Sequence, residues 1–137
     1  MSVVKGKRTE GKLEVLVALR NLCVHTINVC KREKNFPKRD RWILANPIVK
    51  HAVDAYSYAR KANSIMVKTE DDFVRRRGYQ VECHASLEAL QSLLEIAYIE
   101  SNMDGQSVDF WIGLVMDCEK KLAGWRTSDR KRYNETK

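Results

Sequence analysis

At 137 residues the chain has room for one domain with its own core and too little for two ordinary domains, and 44% hydrophobic residues let it fold without disulfides or metals. Six Gly and two Pro are too few for an all-β protein with many turns, and no apolar run reaches membrane-spanning length. The net charge of +7 is uneven: residues 78–119 contain no Lys or Arg and carry Glu82, Glu88, Glu95, Glu100, Asp104, Asp109, Asp117 and Glu119, a charge of −8 that leaves +15 on the remainder.

Met1 to Lys7 lacks the apolar segment of a signal peptide, so a cytoplasmic location is expected, with the four cysteines as thiols. Residues 1–9 read as a mobile basic N-terminus and residues 10–125 as the folded unit. The first helix is expected over about 10–32, where Leu16, Leu19, Cys23, Ile27 and Cys30 recur at spacings of three and four. Val15, Ala18, Leu22 and Val29 widen its apolar face. Asn35-Phe36-Pro37 reads as a turn. The second helix is expected over about 39–62, with a kink or a short lead-in at Pro47 as the preferred reading and a fresh helix capped by Asn46 as the other. Ala45, Ala52, Ala55, Ala59 and Ala62 would let another helix approach closely.

Residues 63–71 read as a connection, with Thr69 or Asp71 as cap. The third helix is expected over about 72–100, with Cys83, Leu87, Leu90, Leu94 and Ala97 alternating by four and three. Residues 101–107 form a loop turning at Asp104-Gly105. The fourth helix is expected over about 108–125, on the stripe Trp111, Val115, Cys118, Leu122 and Trp125. Residues 126–137 read as a mobile basic tail. Four amphipathic helices with short connections predict an all-α, antiparallel up-down four-helix bundle.

Little in the chain resembles an active site. Cys23, Cys30, Cys83 and Cys118 all fall on apolar stripes, where Cys packs as a small hydrophobe. His25, His51 and His84 do not combine with them into paired zinc-finger spacing. No phosphate-cradling glycine loop, nucleophile elbow or carboxylate pair stands out, and Glu70-Asp71-Asp72 reads as a helix N-terminus. The expectation is a non-enzyme with no metal and no cofactor.

The basic clusters say more. In an up-down bundle the end of the second helix, the start of the third and the end of the fourth share one end. That gathers Arg60, Lys61, Arg75, Arg76, Arg77, Arg126, Arg130, Lys131 and Arg132, beside Lys5, Lys7 and Arg8. A second patch of Lys38, Arg39 and Arg41 sits at the first turn, with Trp42 to Leu44 expected to anchor the helix behind it. Clusters of this kind suit a polyphosphate, because each cation releases condensed counterions. Without a base-reading motif, binding by shape and charge is expected.

The "FPK" turn at 36–38, "RKAN" at 60–63, the Leu-rich third helix and "LAGW" at 122–125 followed by basic residues together resemble the accessory variability determinant proteins of diversity-generating retroelements. The wider family of four-helix bundles includes proteins encoded in intervening sequences of 23S ribosomal RNA genes. The likeness runs from about Lys12 to Arg132. It implies a homopentameric barrel of bundles that binds nucleic acid, either template RNA or an RNA–DNA hybrid. It further implies a reverse transcriptase partner and support of mutagenic cDNA synthesis. By position, Lys61 and the basic tail carry over as contact residues. Related proteins tend to carry arginines within the Leu-rich helix, where this chain has Glu88, Gln91 and Glu95. A ring needs different patches on each subunit, and the acidic surface of helices three and four facing a neighbour's basic surface would supply them. Two other readings are a general RNA- or ribosome-associated bundle and a protein-interaction scaffold that touches no nucleic acid.

Overall fold

The computed structural model describes the backbone of residues 3–136 and the side chains of residues 14–134. Four long helices and no strand make up the described residues: α1 (Val3–Lys31), α2 (Asn46–Ser64), α3 (Glu70–Glu100) and α4 (Gly105–Thr136). A 3₁₀ turn (Lys38–Asp40) and a π-helical turn (Arg41–Ala45) lead into α2.

Local chemistry explains most of the boundaries. The α1 C-terminus is closed by Asn35 Nδ2 donating to Val29 O at 3.1 Å, and the fully buried Phe36 ring pins the turn. Thr69 caps α3 through a capping box: its hydroxyl accepts from Asp72 N at 3.1 Å, and Asp72 Oδ2 accepts from Thr69 N at 3.2 Å. Glu70, Asp71 and Asp72 in that first turn complement the helix dipole. Asp104 caps α4, accepting from Ser107 N at 2.8 Å, so α4 begins at Gly105 without a left-handed glycine.

Three expectations shift. Asn46 is not a cap, since its backbone is already helical, and its N–H reaches back five residues to Arg41 O. Pro47 has no N–H to give the carbonyl four residues back, and the wider π turn accommodates that gap as a lead-in. The backbone of the segment read as a basic tail is helical as far as Thr136, continuing α4, and Asp129 within it is buried on the stripe of Leu122 and Trp125. Helical backbone also reaches back to Val3, within the segment read as a mobile N-terminus; the side chains of Lys5, Lys7 and Arg8 lie outside the described residues.

Long-range contacts show alternating helix directions. Near the end of α1, Thr26 accepts a 3.0 Å hydrogen bond from Trp111 Nε1 near the start of α4. Near the start of α3, Arg76 pairs with Asp129 near the end of α4. The core holds the expected stripes. Ala52, Ala55, Ala59 and Ala62 are almost wholly buried where α2 lies against α3. All four cysteines are buried free thiols, and burial pushes Cys23 up to about 11 and Cys30, Cys83 and Cys118 up to about 12.

Candidate nucleic-acid interface

The ends of α2 and α4 and the start of α3 meet at one end of the bundle. Residues 60–77 and 126–132 together supply ten cations against four carboxylates, so this end is strongly positive. Arg76, Arg77, Arg126, Arg130 and Arg132 come together across α3 and α4, and they do different jobs.

Arg76 is only 4% exposed and is a correction to the expected contact set. Its Nε and Nη2 donate to the two Asp129 carboxylate oxygens at 2.6 and 2.9 Å, and its Nη1 donates to Ile65 O at 3.1 Å. Gln80 Nε2 adds a 2.8 Å bond to Asp129, and the guanidinium lies 5.2 Å from the Trp125 ring centre. This bidentate pair ties α3 to α4 and to the chain leaving α2, with its charge spent inside. The reason is periodic. Consecutive arginines point about 100° apart, and position 76 extends the buried row of Gln80, Cys83 and Leu87.

Arg77 behaves differently. It is half-buried, donates from Nη2 to Arg126 O at 2.9 Å, and lies 5.5 Å from the Phe73 ring centre. Burial, then the charges of Arg126 and Arg130, lower its pKa below the usual arginine value. Arg126 keeps a buried Nε with no partner. Arg77, Arg126 and Arg130, with Ala123 and Thr127, line an open cleft of about 260 Å³ with no carboxylate in its wall. Three guanidiniums converge there on shared space.

Arg60, Arg75 and Lys131 are exposed, as is Arg130 of the cleft. Lys61 is exposed with its ammonium 5.2 Å from the Tyr58 ring centre, and Tyr58 stacks on Tyr79. Arg132 is half-exposed and reaches Asp129 Oδ1 at 3.3 Å.

At the opposite end Lys38 and Arg39 are exposed, while Arg41 sits 3.6 Å from Glu33. The expected anchor behind them is corrected: Trp42 is 81% and Ile43 71% exposed, and only Leu44 is buried. The buried row runs Leu44, Ala45, Ile48, Ala52, which leaves positions 42 and 43 on the outer side.

The structure thus defines an all-helical bundle with a cationic end built around an arginine cleft. No family model, curated protein or solved structure matches the chain.

Proposed function

We propose that this protein is a non-enzymatic nucleic-acid-binding bundle, acting as the accessory subunit of a diversity-generating retroelement's reverse transcriptase. The observation that carries the nucleic-acid part is the cleft of Arg77, Arg126 and Arg130, where mutually repelling guanidiniums share an open space free of carboxylates. A phosphodiester placed there would screen that repulsion and accept from several donors at once. Arg60, Lys61, Arg75 and Lys131 would follow the adjoining backbone. The reverse transcriptase and the homopentameric barrel rest on the likeness carried by the "FPK", "RKAN" and "LAGW" segments.

The test is binding of labelled RNA and RNA–DNA hybrid across a salt series, for the wild type and the triple variant Arg77→Ala, Arg126→Ala, Arg130→Ala. Affinity should fall steeply with salt. The variant should lose about 0.7 of the log–log slope per arginine on a single strand. Salt-insensitive binding, or an unchanged triple variant, would overturn the reading. The exposed Trp42 and Ile43 favour a second reading, a protein-interaction scaffold, which salt-insensitive capture of a protein partner would select.

A further inference from the structure

Along the α3–α4 interface, within the stretch devoid of Lys and Arg, three ligand-type side chains converge. His84 and Glu88 stand four residues apart on α3, and Glu119 reaches them from α4. One imidazole nitrogen and one oxygen from each carboxylate all lie within 4.8 Å of one another, and His84 Nε2 is 3.7 Å from Glu88 Oε1.

A second observation separates this group from an ordinary acidic surface. Glu119 Oε1 is buried and meets no hydrogen-bond donor, its polar neighbour being the Glu88 carboxylate. An acceptor shielded from water and left without a donor needs a cation or a proton. The lysines that follow Glu119 do not supply it: Lys121 is paired with Asp117, and Lys120 is exposed. Two carboxylates at this separation repel unless something positive lies between them.

We propose that His84, Glu88 and Glu119 form a binding site for a zinc-type divalent transition-metal ion that clamps α3 to α4. The donor set favours that class. One imidazole nitrogen with two carboxylate oxygens suits zinc, cobalt or nickel, whereas magnesium and calcium prefer oxygen ligands alone. Three protein ligands leave one tetrahedral position for water on the solvent side. The ion would neutralise the repulsion between Glu88 and Glu119 and stabilise the folded chain by mass action. The site lies outside the arginine cleft and does not depend on the nucleic-acid reading.

The full chain, freed of metal by chelator, is titrated near neutral pH with Zn²⁺ by calorimetry and with Co²⁺ by visible absorption. We expect one ion per chain and affinity at least about tenfold lower in His84→Ala and in Glu119→Gln. Zinc should raise the melting temperature of the wild type alone. All three side chains are at least partly exposed, so the variants should keep the wild-type circular dichroism, and Glu88→Gln provides a third independent loss. No saturable binding up to millimolar zinc would overturn the proposal and leave a shared proton between the carboxyls. Unchanged affinity in the variants would overturn it as well. So would a cobalt–thiolate charge-transfer band, which would put the ion on the buried cysteines.

Discussion

Two polar clusters occupy one ridge of α3, and they differ in what balances them. Positions 76, 80, 84 and 88 succeed one another four residues apart, each step turning about 40° past a full revolution. The first two are buried, with Arg76 and Asp129 as opposite charges and the neutral Gln80 amide donating to the same carboxylate. The next two drift outward, leaving the side chains of His84 and Glu88 43% and 56% exposed beside Glu119. Where water is excluded, a charge must meet its complement. Where water is near, like charges can be held together and wait for an external counter-charge.

The sharpest way to break this contrast is Asp129→Ala, which strands a buried guanidinium. It should cost about 3–5 kcal/mol in urea unfolding. Replacing Arg76 and Asp129 together by Met and Leu should recover most of that loss, because a hydrophobic pair of similar volume is often neutral. If the double variant is as unstable as the single one, the ion pair is not the source of the effect.

A neutral counterpart lies across the bundle, where Thr26 accepts from Trp111 Nε1 in the core. Thr26→Val keeps the shape and orphans the indole N–H, and should cost about 1–3 kcal/mol. A loss equal to that of Asp129→Ala would remove the distinction between charged and neutral buried partners.

At the half-exposed cluster the expected effect is smaller and opposite in sign. Burial first, then Glu88, raises the Glu119 pKa above its ordinary value of 4.5. The folded state therefore holds its proton more tightly than the unfolded state, and stability falls as pH rises from the ordinary value through the raised one. In metal-free protein at neutral pH, Glu119→Gln should raise stability by less than about 1 kcal/mol, since exposure screens the repulsion. The gain should vanish below pH 4, where both forms are neutral. Chemical denaturation of the two proteins at several pH values measures this, and a gain that persists in acid would show that charge is not its cause.

The smallest effect is expected at Trp42. With the ring 81% exposed, Trp42→Ser should change stability by no more than about 0.5 kcal/mol. A larger loss in thermal melts would mean that the ring is covered in solution by another copy or a partner.

How far the sequence carries can be argued from these residues. The apolar rows at Leu87, Leu90 and Leu94 and at Trp111, Val115 and Cys118 repeat cleanly, so helix faces and buried cysteines were legible. The signal for the buried ion pair was present but easy to overlook: Arg76 extends the row of Cys83 and Leu87, and Asp129 that of Leu122 and Trp125. Opposite charges at core positions of two antiparallel helices point to each other. Nothing local pointed to Glu119, because its partners lie more than thirty residues away on another helix.

Periodicity, capping chemistry and helix order were determined by the sequence alone, since each depends on residues a few positions apart. That is why the four helices could be derived without coordinates and the cap of α3 narrowed to Thr69 or Asp71, of which the structure uses Thr69. The tertiary structure decided how each helix is rotated against its neighbours, and so which arginine is buried, which three surround a cleft and where the Trp42 ring points. Those outcomes depend on a match between two or three helix surfaces at once. A single helix specifies its own face and leaves open which side chains will stand opposite it.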